Sequence, residues 1–419
     1  MKPRLTAIAA VVLGLASAPA LAQYSLITTI QIPASPDNTN PVNAGGRFTS
    51  YDIAFSDPTT QRIYLADRSN ASVDIFSAVT NTYVGRLGGS GGVFTGQTAT
   101  TATSGPDGVV VIPGQQVWAG DGNSTLRVFN IPSGTQPAYS PIATGPVSAQ
   151  RVDELIYDPN SHQILAANNA ASPSPFLSLI NATTGAVTRT IPFNGLNGTP
   201  NATNGIEQPA YDSFTNKFYV SVPQINGAGP GGVAQLDING NVTHFFDFSI
   251  LGLGAGGVCG PTGLAAGAGG NLIVGCGDGG SSVILHAADG INGSIKIITG
   301  VGGEDQVWYD PVRHRYFLSA RNNPGGPILG ILDAVSETVL QTLVSSSGAH
   351  SVTVDPVSGE VFMAFGGNLA AVTNSVCPDG CMAVFGLAGA VPEPDTYAMM
   401  LAGLGLLGFV ARRRKQKAA

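Results

Sequence analysis

Acidic side chains recur along this sequence at intervals of about 43 to 55 residues. Five of the seven positions in the series carry a carboxyl group and the last carries an imidazole: Asp52, Asp107, Asp153, Glu207, Thr262, Asp305 and His350. Carboxylates that share one site cannot all stay ionised without a cation or raised pKa values. The series therefore predicts Ca²⁺ or another divalent cation as a cofactor, with five carboxylate ligands: Asp52, Asp107, Asp153, Glu207 and Asp305.

The same series predicts where catalysis would occur, if there is any. His350 is the candidate acid or base and Asp153 the candidate partner, next to a metal that activates water or polarises a carbonyl group. Nearby polar residues are expected to surround the site: Asp67, Asp121, Asn168, Asp278 and Arg321. The alternative interpretation is structural, because acids in this position also cap turns and border wet channels.

The elements that would position these residues are short repeated strands. The stretch YDIAFSDPTTQRIYLAD (51–67) has counterparts at 153–169 and 305–320. Each copy is an apolar run, a turn rich in Asp, Pro, Gly or Asn, and a second β-rich run, which indicates a β-hairpin. Two further β-rich runs follow most hairpins. The seven turns are marked by Asp57, Ile112, Asp158, Asp212, Gly267, Asp310 and Asp355.

Seven units of four strands predict an all-β fold, a seven-bladed β-propeller over residues 23–388. In a propeller, each acidic position begins the innermost strand of a blade, so the series forms a ring at one mouth of the central channel. The last unit offers three strands, and the lone strand at 24–33 is expected to supply its fourth. That closing strand favours a closed ring over the alternative, an open solenoid.

The repeat resembles the YVTN and related lactonase-like or SMP-30-like β-propellers over roughly residues 24–388. The resemblance lies in two sequence patterns. One is the repeated hairpin pattern YDPxxxxxYLA, and the other is the pair of strands that follows it, as in ILDAVSETVLQTLV (331–344). It implies an architecture more than an activity, since such propellers include hydrolases, lyases and binding scaffolds.

The N-terminus has the organisation of a secretory signal over residues 1–22. Lys2 and Arg4 precede an apolar run, and a small-x-small site predicts cleavage between Ala22 and Gln23. A short membrane anchor is the alternative, which the brevity of the run disfavours. Export predicts an oxidising compartment, and four cysteines fit two local disulfides, Cys259–Cys276 and Cys377–Cys381. A zinc site that includes Cys377 and Cys381 is the rival interpretation.

Residues 389–419 form a tail with three parts in a fixed order. A rigid Pro392-Glu393-Pro394 element is followed by an apolar run at 397–411, and a basic cluster comes last: Arg412, Arg413 and Arg414 with Lys415. The run is shorter than the roughly 20 residues that cross a bilayer comfortably, and the basic residues are expected to stay cytoplasmic. The order resembles the PEP-CTERM sorting signal. An ordinary C-terminal anchor is the alternative.

That resemblance implies an exosortase-type processing enzyme as partner and a precursor held transiently in the inner membrane. It also implies removal of the tail and delivery to the cell surface or extracellular matrix of a Gram-negative bacterium. The body carries a net charge of about −13 once the basic residues at both ends are set aside. An acidic body disfavours nucleic acid as a partner.

The sequence therefore predicts an exported module that binds or supports an exopolysaccharide matrix, with exopolysaccharide or surface proteins as partners. Low charge and loops rich in Gly, Asn and Thr favour this function. The alternative is a metal-dependent hydrolase of the lactonase-like kind, or a lyase, that uses the acidic ring.

Overall fold

The computed structural model describes residues 23–35, 47–89, 92–253, 259–277, 279–289, 292–367 and 377–387. The predicted signal segment 1–22, which includes Ala22, lies outside the described residues, as does the sorting tail 389–419. Residues Ser25–Gly386 form one compact unit. Within the described residues no helix combines the length and the apolarity needed to cross a bilayer.

The unit Ser25–Gly386 is built from seven four-stranded antiparallel sheets, which are the blades of a propeller. In blades 1 to 3 the strands run in chain order from the inside outward. Blade 1 contains β2 (Tyr51–Asp57), β3 (Arg62–Asp67), β4 (Ser72–Ser77) and β5 (Thr82–Gly88), and blade 2 contains β6 (Val109–Ile112), β7 (Gln116–Gly120), β8 (Thr125–Asn130) and β9 (Ile142–Ala143). Blade 3 contains β10 (Leu155–Asp158), β11 (Gln163–Asn168), β12 (Phe176–Asn181) and β13 (Val187–Pro192).

Blades 4 to 6 follow the same order. Blade 4 contains β14 (Pro209–Asp212), β15 (Lys217–Val222), β16 (Gly232–Leu236) and β17 (Val242–Asp247), and blade 5 contains β18 (Pro261–Ala266), β19 (Asn271–Cys276), β20 (Ser281–His286) and β21 (Ser294–Thr299). Blade 6 contains β22 (Glu304–Asp310), β23 (Arg315–Ala320), β24 (Ile328–Asp333) and β25 (Thr338–Val344). Short 3-10 helices lie between strands: Thr101–Thr103, Val147–Ala149 and Ala268–Gly270.

Blade 7 differs because its strands come from both ends of the chain. Its sheet order is β26 (Val352–Val354), β27 (Val361–Phe365), β28 (Cys381–Leu387) and β1 (Tyr24–Gln31). The innermost strands contact one another around the ring, and β26 contacts β2 of blade 1. The prediction of a seven-bladed propeller closed by an N-terminal strand is therefore confirmed.

The turn residues explain why each hairpin reverses where it does. The Oδ1 atom of Asp57 accepts a hydrogen bond from the amide of Thr59 at 3.0 Å, and Asp310 does the same for Val312 at 2.8 Å. Such Asx turns fix the register of the hairpin. The predicted markers fall at the ends of the innermost strands, or directly after them in blades 5 and 7.

The core lies between the faces of neighbouring blades. Val73, Phe94 and Val111, for example, belong to one buried cluster between blades 1 and 2. Burial of such a side chain contributes about 1.5–3 kcal/mol, so each sheet needs both of its neighbours.

Both predicted disulfides are present, with Cα–Cα distances of 4.6 Å for Cys259–Cys276 and 5.6 Å for Cys377–Cys381. They use all four cysteines and leave no thiolate for the zinc alternative.

Candidate functional site at the channel mouth

The starts of the innermost strands meet at one mouth of the central channel. A cavity of about 450 Å³ opens there, and six members of the predicted series line it: Asp52, Asp153, Glu207, Thr262, Asp305 and His350. The seventh member, Asp107, is fully buried beside them. The structure therefore brings the whole series to one place, which we call the channel mouth.

Three arginines also lie at the mouth: Arg68, Arg151 and Arg321. Arg151 contacts Asp153 at 2.7 Å between Nη2 and Oδ2, and Arg321 contacts Asp305 at 3.0 Å between the same atom types. The sequence analysis included Arg321 but missed the other two. The acidic ring is thus a set of paired charges rather than bare carboxylates.

A repeated contact explains how these partners arrive. The residue 16 positions after a ring acid donates a hydrogen bond to it in blades 1 and 3, from Arg68 to Asp52 and from Asn169 to Asp153. Arg321 stands in the same relation to Asp305 in blade 6. In each case the partner follows the second strand of the hairpin that the ring acid begins. This spacing is a signal that the sequence contains.

Arg68 is the most deeply buried of the three arginines and is 4% exposed. Its Nε atom donates to Oδ1 of Asp107 at 2.7 Å, its Nη1 atom to the carbonyl oxygen of Tyr51 at 2.7 Å, and its Nη2 atom to Asp52. Burial raises the pKa of Asp52, but Arg68 and then His350 outweigh burial, and the net shift of this pKa is downward. Asp52 is therefore held as a carboxylate.

The other acids have the opposite shift. Burial raises the pKa of Asp107 to about 7 in spite of Arg68, and it raises the pKa of Glu207 to about 7 in spite of Arg151. Burial also raises the pKa of Asp153 and of Glu154 well above the usual range. At neutral pH the mouth thus carries fewer negative charges than its carboxyl groups suggest, and a bound cation would compete with protons.

His350 is fixed in place by its neighbours. Its ring stacks on Tyr51 with centroids 4.5 Å apart. Nδ1 lies 2.6 Å from the carbonyl oxygen of Gly348, while Nε2 lies 3.2 Å from that of Tyr51 and 3.5 Å from Oδ1 of Asp52. Each ring nitrogen thus faces an oxygen acceptor. Coordination of a metal by either ring nitrogen would therefore require its present oxygen neighbour to move away.

Three groups of side chains could hold a metal ion, since their ligand atoms lie within 4.8 Å of one another. The groups are Asp52–Asp305–His350, Asp52–Asp107–Asp153 and Glu154–Glu207–Asp305. Arg68 already bonds to Asp52 and Asp107, so the first two groups are partly neutralised. The third contains Glu154, which the sequence analysis did not select. Its Asp305 pairs with the partly exposed Arg321, but none of its members bonds to the buried Arg68. All three members are carboxylates, the ligands Ca²⁺ prefers, so this group fits a hard cation best.

Of the polar residues that were expected to surround the site, Arg321 lies at the mouth, but three others lie elsewhere. Asp67 and Asp121 are buried and hold turns, through Asn70 and through the amides of Thr95 and Gly122. Asn168 donates to Ser124 at 3.0 Å. None of these three is among the residues that line the mouth, and Asp278 lies outside the described residues.

Comparison with known proteins identifies the end of the chain. Residues 390–415 match the PEP-CTERM protein-sorting motif. This match supports the interpretation of Pro392, Glu393 and Pro394 as the start of a sorting signal. Signals of this kind are processed by exosortases, so the protein is exported and sorted through the membrane. The body that the signal accompanies is the propeller. The comparison with curated proteins finds no match to the chain.

Proposed function

We propose that this protein is a cell-surface or matrix module of a Gram-negative bacterium that binds exopolysaccharide at the channel mouth. The observation that supports this function is the 450 Å³ cavity lined by guanidinium and carboxyl groups side by side. In the proposed life cycle, cleavage after Ala22 leaves Gln23 as the first residue. The inner membrane holds the precursor transiently, and removal of the tail leaves the body at 23–388.

The chemistry of the mouth suits a glycan. Sugar hydroxyls both donate and accept hydrogen bonds, and the paired groups at the mouth offer both partners within a few ångströms. The side chain of Arg321 is 35% exposed and that of Arg151 is 18% exposed, so both can reach a ligand from the solvent. Guanidinium groups also bind carboxylates in a bidentate manner. A uronate-containing polysaccharide is therefore the ligand class we favour.

A first test uses Arg321→Gln. We expect this variant to bind a soluble polyuronate at least tenfold more weakly, because the substitution removes the most exposed cation of the mouth while the fold keeps its core. Titration calorimetry measures the affinity, with a neutral glucan as the ligand control. The matched control variant is Arg62→Gln. Arg62 is the first residue of β3 in blade 1, at the end of the strand that lies away from the mouth. Equal affinity of the wild type and Arg321→Gln for the polyuronate would show that the channel mouth is not the binding site.

The second candidate function is a metal-dependent hydrolase or lyase. It is favoured by the Glu154–Glu207–Asp305 group, which Asp52, Asp107 and Asp153 extend around the mouth. In this function Asp153 and His350 would handle protons next to a bound divalent cation, and the cation would polarise a lactone, ester or uronate.

Elemental analysis of the purified protein tests this second candidate. We expect about one divalent ion per chain and a melting temperature that falls by several degrees with chelator, since a ligand that binds only the folded state stabilises it. His350→Gln and Asp153→Asn should then lose hydrolytic activity while remaining folded. A metal-free protein whose melting is indifferent to chelator would exclude the metalloenzyme and leave the ring a structural and binding feature.

A further inference from the structure

A second cavity occupies the channel beyond the charged mouth. It has a volume of about 230 Å³ and is lined mainly by apolar and aromatic side chains from the later parts of the innermost strands, including Phe55, Ile156, Tyr211, Trp308 and Tyr309. Phe55 and Trp308 meet edge to face with centroids 4.9 Å apart. Glu154 lines both this channel cavity and the mouth, so it stands at the boundary between them.

Glu154 shares its register with two glutamines. It follows the ring acid Asp153, as Gln208 follows Glu207 and Gln306 follows Asp305. The Oε1 atom of Gln208 accepts from the amide of Leu264 at 2.8 Å, and its Nε2 atom donates to the carbonyl oxygen of Val307 at 3.2 Å. Gln208 thus links blade 4 to blades 5 and 6.

Gln306 makes the same type of link further around the ring. Its Oε1 atom accepts from the amide of Val352 at 3.0 Å, and its Nε2 atom donates to the carbonyl oxygen of Ala54 at 2.8 Å. At this register, therefore, a side-chain amide serves the fold because it both donates to and accepts from the backbone of other blades.

Among the described residues, the Glu154 side chain makes no such link. It is 3% exposed, and no described residue donates a hydrogen bond to its buried Oε2 atom. A buried polar atom without a partner costs about 1–3 kcal/mol. The carboxyl group of Glu154 therefore lowers the stability of the fold at a position where a glutamine would bond to the backbone of other blades. A group that destabilises the fold at a cavity wall is typical of a binding site.

We propose that the channel cavity binds a small organic cation of the alkylated ammonium class, with Glu154 as its counter-charge and the rings of Trp308, Phe55 and Tyr211 as its walls. Aromatic faces attract ammonium groups through cation–π interactions, most strongly at Trp. The walls offer few oxygen ligands, so a hard metal ion would remain undersolvated there. This site goes beyond the proposed function because it lies on the far side of Glu154 from the glycan-binding mouth.

Choline is the probe, and 3,3-dimethylbutan-1-ol is its neutral counterpart of the same shape. The chain has two tryptophans. Trp118 is fully buried in blade 2, whereas Trp308 lines the cavity, so a change in tryptophan fluorescence reports on the site. We expect choline to change the fluorescence and to bind at least tenfold more tightly than the neutral alcohol, because charge and not shape drives recognition.

Glu154→Gln is the decisive variant. It gives blade 3 the side chain that blades 4 and 6 already have, so its melting temperature should equal or exceed that of the wild type. Its affinity for choline should fall at least tenfold, because the variant lacks the carboxyl group that releases its proton and becomes the counter-charge when the cation binds. Glu360→Gln, the same substitution in blade 7 outside the channel, should change neither property.

Four outcomes would overturn the proposal. The alcohol could bind as well as choline, which would make the cavity merely apolar. The affinity of Glu154→Gln could equal that of the wild type, or choline could bind without any response from Trp308, which would place the cation elsewhere. Absence of choline binding at millimolar concentration would also overturn it. Should Glu154→Gln fail to fold, the comparison of choline with the alcohol on the unchanged protein still decides.

Discussion

Replacement of Arg68 by methionine is expected to lower the free energy of unfolding by about 3–5 kcal/mol, the usual cost of breaking a buried ion pair by removing one partner. Arg68 lies between Asp52 and Asp107 and bonds to both. Methionine fills a similar volume but leaves two carboxyl groups buried against each other. Urea denaturation followed by circular dichroism measures the loss.

The matched control is Arg47→Met. Arg47 contacts Asp379 at 3.2 Å, but both side chains are more than half exposed, and exposed pairs contribute about 0–1 kcal/mol. A second control adds Asp52→Asn and Asp107→Asn to Arg68→Met, which should recover much of the stability because the two carboxyl groups that Arg68 neutralised are gone. If Arg68→Met and Arg47→Met lose the same free energy, Arg68 does not neutralise the mouth.

The channel mouth could be predicted from the sequence because it follows the repeat. A propeller places equivalent residues of every blade on one ring, so a common spacing from the turn was enough to bring Asp52, Asp153 and Asp305 together. The turn itself was readable because Asp-Pro and Asp-Ser steps have a local mechanism. Nothing about the partners of these acids was needed for that step.

Arg151 and Glu154 were harder to predict because they depart from the repeat. Two positions before each ring residue the chain usually has glycine, as at Gly105, Gly205, Gly260, Gly303 and Gly348. Arg151 stands at that position in blade 3, where it reaches Asp153. Glu154 is likewise the exception at a register where Gln208 and Gln306 bond to the backbone. In a repeat protein, exceptions mark the residues whose chemistry differs, and the repeat has to be aligned on the structure before they are visible.

The tail illustrates the opposite case. Its signal was readable as a linear order of three parts, because a processing enzyme recognises a short segment rather than a folded surface. The match to residues 390–415 supports that interpretation. The channel mouth has no such linear signal, since it is built from side chains of six different blades.

Ile30→Asp in the N-terminal strand should cost at least about 3 kcal/mol of unfolding free energy, because it combines the loss of a buried aliphatic side chain with burial of a charge. Ile30 is 6% exposed and belongs to the cluster that includes Phe48, Phe76 and Met382, at the joint between blades 7 and 1. Denaturation in urea measures the effect, and limited proteolysis shows whether blade 7 opens first.

Ile27→Asp is the control on the same strand, since Ile27 is 46% exposed and the substitution leaves its charge in water. It should cost less than about 1 kcal/mol, in line with surface substitutions. The difference between the two variants isolates the role of β1 in closing the ring, because both change the same residue type to the same charge. Equal losses of unfolding free energy would mean that β1 lies on the edge of blade 7 without stabilising the closed ring. A large gap would mean that the buried face of β1, packed at the joint between blades 7 and 1, stabilises the closed ring on which the channel mouth depends.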